Sequence, residues 1–138
     1  MAETTGPSTG TVAEDEVEGL VWKARDDDAE GLTLVYTTFP TLELAKDVAR
    51  QLVERKLAAC VNIIPGMIAI FAWEGLVHED GEVLVLIKTG SSLTARCIAA
   101  IKAGHPYTNP AALAFGATAG SKPYVDWIMA GTVVAGAE

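Results

Sequence analysis

Long apolar runs are absent from this 138-residue chain: no stretch reaches the ~18–20 uninterrupted apolar residues of a membrane-spanning helix. Cysteine is scarce, with only Cys60 and Cys97, so there is no disulfide framework, and both thiols are expected free in a reducing compartment. The histidines, His78 and His105, are as few. Such a set does not readily close a four-ligand zinc site within one chain, and no CxxC, HxH or HExxH pattern occurs. Gly116-Ala117-Thr118-Ala119-Gly120-Ser121 lacks the lysine and spacing of a phosphate-cradling loop. A basic start followed by an apolar run is also missing, and the early acids are wrong for a transit peptide, so a cytoplasmic protein is expected.

Positive charge is in short supply too. The formal net charge is −8, of which residues 1–31 carry −7 and the remainder −1. With no basic face, neither sequence-independent nucleic-acid binding nor docking on anionic lipid is expected. Residues 1–31, rich in Thr, Gly, Ser, Pro and acids, read as a flexible extension, with Val17, Leu20 and Val21 spaced to dock as one short turn. What the chain does have is apolar residues, 50% of the total, enough at this length for one domain over residues 32–138 with a core that needs no staples.

From residue 32 the pattern becomes regular. Leu32 to Thr38 alternates and is rich in β-formers, which predicts a strand. Pro40 and Thr41 open a helix with Leu44, Ala45, Val48, Ala49, Leu52 and Val53 at helical spacing. Leu57 to Ile64 predicts a second strand, Pro65-Gly66 a break, and Met67 to Trp73 a resumed strand signal. Glu74-Gly75 and Glu79-Asp80-Gly81 are turn-like, and Glu82 to Lys88 reads as the third strand. Ser91 or Ser92 is placed to cap a second helix bearing Leu93, Cys97, Ile98 and Ile101, which Gly104 stops. Ala111 to Phe115 is a short fourth strand, and Ser121 and Pro123 begin a last helix with Tyr124, Trp127 and Ile128. The order is that of an α+β, ferredoxin-like βαββαβ sandwich with an extra C-terminal helix.

One feature conflicts with an isolated sandwich of this kind. Helices on one side of an antiparallel sheet leave a face that should be polar. Yet Val83-Leu84-Val85-Leu86-Ile87 is apolar on both faces, and Ile68 to Trp73 nearly so. The last helix is too small to cover the second face, which implies a second copy of the chain against it.

Few residues are placed for chemistry. Cys60, in an apolar strand, reads either as a small buried hydrophobe or as a soft ligand for Cu(I). Cys97 falls on the inward stripe of its helix and reads as core. His105 opens His105-Pro106-Tyr107-Thr108-Asn109-Pro110, a stiff loop suited to holding an imidazole, although a histidine there can also simply complement the helix dipole. His78 reads as a solvated turn residue. Trp73, Glu82, Lys88 and Tyr107 would line one rim if residues 73 and 82–88 form a hairpin. A Cys60–His105 nucleophilic pair has no third orienting group, and no enzyme is expected.

Lys56-Leu57-Ala58-Ala59-Cys60-Val61-Asn62, Trp73-Glu74-Gly75, Leu86-Ile87-Lys88-Thr89, His105-Pro106-Tyr107 with Pro110, and Tyr124 with Trp127 together resemble the CutA family of divalent-cation tolerance proteins. The resemblance implies a ferredoxin-like homotrimer whose neighbouring sheets pack together, and weak binding of copper or another divalent cation. It maps the metal residues to Cys60 and His105, and an inter-subunit ligand cleft to Trp73, Lys88 and Tyr107, beside Glu82. It also leaves an alternative, a small-molecule-binding signalling module similar to the nitrogen-regulatory PII type, taking a small anionic ligand near Lys88. The chain departs from the family pattern at Ala111, where an acid is usual, at Ala72, where an aromatic is frequent, and around Gly116, where a proline is common.

Overall fold

The computed structural model describes residues 19–25 and 30–132. Most of the expected flexible extension, including Val17, therefore lies outside the described residues. The described chain runs β1 (Val21–Lys23), β2 (Leu32–Phe39), α1 (Leu42–Glu54), β3 (Cys60–Trp73), β4 (Leu76–Gly90), α2 (Thr94–Gly104), β5 (Ala112–Gly116), β6 (Ala119–Ser121) and α3 (Lys122–Ala130). The main sheet is antiparallel with order β3-β4-β2-β5, the ferredoxin-like arrangement, and β1 pairs with β6 in a separate two-stranded sheet.

Helix α1 begins where Thr41 accepts a hydrogen bond from the Leu44 amide at 3.3 Å, one of the donors that a helix start otherwise leaves unmet. It buries Ala45, Val48, Ala49 and Leu52 against the sheet. Helix α2 contributes Cys97 and Ile101, both fully buried. Gly104 ends α2 with no left-handed backbone. Its role is close approach, since a Cβ there would lie 2.8 Å from Val48 Cγ2 on α1. From the sheet, Val35, Phe39, Val83, Val85 and Ile87 complete this core.

The pairing register shows how strand alternation divides the two faces. Val35 lies opposite Ile87, Thr37 opposite Val85 and Phe39 opposite Val83, all on the helix-covered side. The residues between them, Leu34, Tyr36, Leu84, Leu86 and Lys88, point to the other face, together with Cys60, Asn62 and Ile64 of β3 and Leu113 and Phe115 of β5. Phe115 is 53% exposed there.

Three local expectations are corrected. The residues Glu79-Asp80-Gly81 form no turn: they pair with Ile70, Ala69 and Ile68, so β3 and β4 make one long hairpin. Its turn is Glu74-Gly75, where both residues have positive φ, 51° and 80°, the two-residue geometry that fits strand twist. Pro65-Gly66 does not break the strand but sits in a register shift between Ile64 and Met67, where a missing N–H costs no ladder bond. Neither Ser91 nor Ser92 caps α2. They lie in a 3₁₀ turn, and the Ser92 N–H and hydroxyl both donate to the Glu30 carboxylate, at 3.2 and 2.7 Å.

The extension also does more than dock as a turn: Val21–Lys23 adds as a strand to Ala119–Ser121. Hydrogen bonding to this outlying strand gives no periodic signal in the extension itself.

Because Ile87 is fully buried among both helices and the central strands, Ile87→Ala should lower unfolding free energy by about 2–5 kcal/mol. A denaturant titration measures this directly.

Candidate functional site

Beyond the pairing of Phe39 with Val83, β2 ends and the β3–β4 hairpin continues alone as an arm of Met67–Trp73 against Leu76–Glu82. One side of the arm carries Ile68, Ile70 and Val77, which are 66%, 68% and 77% exposed. The other carries Phe71, whose ring stacks on His78 at 5.3 Å, and Trp73. His78 is thus not a solvated turn residue: it is half-buried in β4, with Nε2 3.3 Å from the Trp73 carbonyl.

The candidate residues fall into separate groups. At the base of the arm, Glu82 accepts a hydrogen bond from Thr38 Oγ1 at 3.2 Å. The loop after α2 lies close by. His105 Nε2 is 2.6 Å from the Thr38 carbonyl, its ring stacks on Phe39 at 4.5 Å, and it contacts the Tyr107 ring at 4.8 Å. Partial burial first, then the charges of Glu82 and Asp80, push the Tyr107 phenol above its ordinary value. An open cleft of about 330 Å³, lined by Pro40, Gly66, Met67, Ile68, Gly81, Glu82 and Val83, lies at the same end.

The other end of the open face holds Lys88. Its ammonium donates to Tyr124 Oη at 2.8 Å, Cys60 lies directly across from it in register, and Trp127 stacks beside Tyr124 at 5.7 Å. Glu82 and Tyr107 are therefore brought together, and so are Cys60 and Lys88. The two groups stand six residues apart along β4, about 20 Å at the rise of a strand. Trp73 joins neither, since it lies six residues, again about 20 Å, beyond the partner of Glu82. Thr38, Asp80 and the Phe39 ring complete the first group. They went unnoticed in the sequence because only the cross-strand register places them beside Glu82 and His105.

The proposed metal residues can be tested for fit. Thr38 pairs with Leu84 and Cys60 with Lys88, so the anchors of His105 and Cys60 are about 13 Å apart along the sheet. Moreover, a carbonyl only accepts, so His105 Nε2 must carry the proton, and Nδ1 accepts the Tyr107 amide N–H at 3.1 Å. Both ring nitrogens are thus engaged, and the Nδ1 lone pair serves the loop. Among the described residues, no group of three or more His, Cys, Asp or Glu side chains could hold an ion. Cys60 and His105 thus do not fit a chelate within one chain, nor a nucleophile–base pair.

The two thiols differ sharply. Cys97 is fully buried, donates to the Leu57 carbonyl at 3.2 Å, and has its pKa raised by burial, partly offset by a hydrogen bond with Thr89. Cys60 is half-buried on the open face.

The sequence model of the family described as "CutA1 divalent ion tolerance protein" matches residues 33–131. The divalent-cation tolerance protein CutA of Thermus thermophilus is 42% identical over 99 residues, covering 72% of this chain and 96% of that protein. Human protein CutA is 35% identical over 128 residues, covering 93% of this chain and 68% of that protein. Against the Xenopus laevis homologue, 43% identical, the chain spans 64% of the relative's length. The solved structure of the Thermus protein superposes with a TM-score of 0.72 at 41% identity, covering 74% of this chain and 99% of that one. That of CutA1 from Oryza sativa gives 0.73 at 38% identity, over 75% and 94%.

A thiol reagent should label Cys97 only on unfolding, because it is fully buried within the single chain. Because burial raises the Cys97 pKa, its contribution to stability is full below the ordinary thiol value of 9.0 and falls as pH rises from there to the higher folded value. Unfolding titrations across that window should show this slope, and it should vanish in Cys97→Ala.

Proposed function

This chain belongs to the CutA1 divalent ion tolerance protein family, and we propose that it serves divalent-cation tolerance as a non-enzymatic homotrimer. The supporting observation is the apolar surface left by the fold: Ile68, Ile70 and Val77 on the arm, and Ile64, Leu113 and Phe115 on the open sheet face. Contiguous apolar patches of more than a few hundred Å² are rare outside interfaces, and a second and third copy of the same chain supply matching cover. Copper, or a similar divalent ion, would be cargo, bound weakly. Its soft donor is Cys60, the thiol reachable from the open face. Further ligands come from a neighbouring copy, and His105 joins them only by releasing the Tyr107 amide.

Relatives are described as chloroplastic in Arabidopsis thaliana and periplasmic in Archaeoglobus fulgidus, so compartment varies within the family. The two free thiols favour a reducing one, and we place this chain in the cytoplasm. The PII-type signalling alternative draws no support from these matches.

Ile70 is 68% exposed in the single chain, so Ile70→Asp should barely change the fold. Inside an interface the unpaired charge would cost several kcal/mol per site. Gel filtration should therefore show the folded variant eluting as a smaller species than the wild type, and identical elution would count against the assembly. For the ion, calorimetric titration with copper should show binding weakened at least tenfold in Cys60→Ala, on the order of the loss seen when a metal site is disturbed. Unchanged binding would remove Cys60 from the site.

A further inference from the structure

The helical layer faces away from the open side of the sheet, so packing of copies by their open faces leaves its outer surface in water. On that surface Lys46, Arg50, Arg55, Lys56, Arg96 and Lys102 are all exposed, and none forms an ion pair with a described residue. The acids of the layer, Glu43, Asp47 and Glu54, are half as many. The layer thus carries a net charge of +3 in a chain whose formal total is −8.

Three of these cations meet at one end. The Leu57 carbonyl accepts from Cys97 Sγ at 3.2 Å and from Thr89 Oγ1 at 2.6 Å. This draws the Arg55-Lys56 turn, which follows α1, against the first turn of α2, where Arg96 precedes Cys97. The chain enters the sheet at the same end. The Ser91 N–H donates to the Gly31 carbonyl at 2.8 Å, and Ser92, four residues before Arg96, holds the Glu30 carboxylate.

A counter-charge lies earlier in the sequence. Residues 1–18 precede the described part of the extension and contain five acids with no lysine or arginine, four of them in Glu14-Asp15-Glu16-Val17-Glu18. Val21 pairs with Ser121, where α3 begins, and α3 runs its nine residues, about 14 Å, to Gly131. A Cβ on Gly131 would lie 3.3 Å from that of Ala59, three residues beyond Lys56. The residues from 14 to 18 span up to about 17 Å when extended, which brings the acids within reach of that turn. We propose that Glu14-Asp15-Glu16-Val17-Glu18 docks on the Arg55, Lys56 and Arg96 surface of its own chain.

Each exposed ion pair is weak and screened by salt. The acidic run is tethered, however, and its local concentration is on the order of millimolar with no separate encounter. Its like charges repel one another, and the cations relieve that repulsion. The contact depends on neither a bound metal nor the oligomeric state.

A carbodiimide, which joins a carboxylate to a lysine amine only where the two touch, tests the contact on the full chain. At low ionic strength the acids of residues 14–18 should join chiefly to Lys56, as read by mass spectrometry of the digested protein. The yield should fall at least about tenfold in about 1 M sodium chloride, where the screening length is about 3 Å. Arg55→Gln with Arg96→Gln, both at exposed positions, should lower it about threefold or more, the weight of two exposed ion pairs. Should that variant fail to fold, the wild type decides by position, since Lys46 and Lys102 of the same layer should link far less than Lys56. Protein refolded from an equal mixture of isotope-labelled and unlabelled chains should give linked peptides with the same label at both ends. Links spread evenly over Lys23, Lys46, Lys56, Lys102 and Lys122 would overturn the proposal, as would a yield indifferent to salt. Mixed-label links as frequent as same-label ones would overturn it too, and would assign the acidic run to a neighbouring copy.

Discussion

The structure depends on one imbalance: a four-stranded sheet that is apolar on both faces, with α1 and α2 covering one and α3 reaching only the Lys88 end of the other. Helices α1 and α2 bury Val35, Phe39, Val83, Val85 and Ile87, and this half of the molecule is a complete core. The residues alternating with them have no such cover. Since alternation is a property of the strand itself, no side-chain rearrangement can hide both sets. The arm sharpens the problem, because beyond β2 the hairpin has no layer of its own on either side. The proposed assembly of like chains would resolve it.

The same geometry sets the chemistry. The β3–β4 ladder is a ruler with acid at the arm base, Glu82 and Asp80, and a base at the far end, Lys88. The His105 loop is fixed to the acidic end by the hydrogen bond from His105 Nε2 to the Thr38 carbonyl, and the Tyr107 amide donating to Nδ1 closes the loop on itself, with Tyr107 near Glu82. Helix α3 is tied to the basic end through Tyr124. A single chain therefore presents two half-sites of opposite charge. Copies packed by their open faces could bring such half-sites within reach of each other, where one chain alone does not.

Much of this was legible in the residues. The order of strands and helices follows from Leu32–Thr38, the apolar stripe of α1 and the alternation before Lys88, and the uncovered face follows from Val83–Ile87. The length of the hairpin did not, because Glu79-Asp80-Gly81 has turn composition yet is held in strand by its pairing with Ile68–Ile70. Likewise, Ser91 and Ser92 have the composition of a cap, but the relevant acceptor is Glu30, 62 residues earlier. The candidate site was legible as residue types rather than as a place. Cys60, Glu82, Lys88, His105 and Tyr107 were identified, whereas their division between two ends of a sheet is a matter of register that local sequence does not encode. The contact that orients the His105 ring through Nε2 depends on Thr38, 67 residues away, and is equally invisible.

Cover of the open face by like chains is tested most directly by sedimentation equilibrium of the unmodified chain at micromolar concentration. The predicted result is a single species of three times the chain mass. A species of one chain mass would contradict it, since the arm and the open face would then be stable in water uncovered.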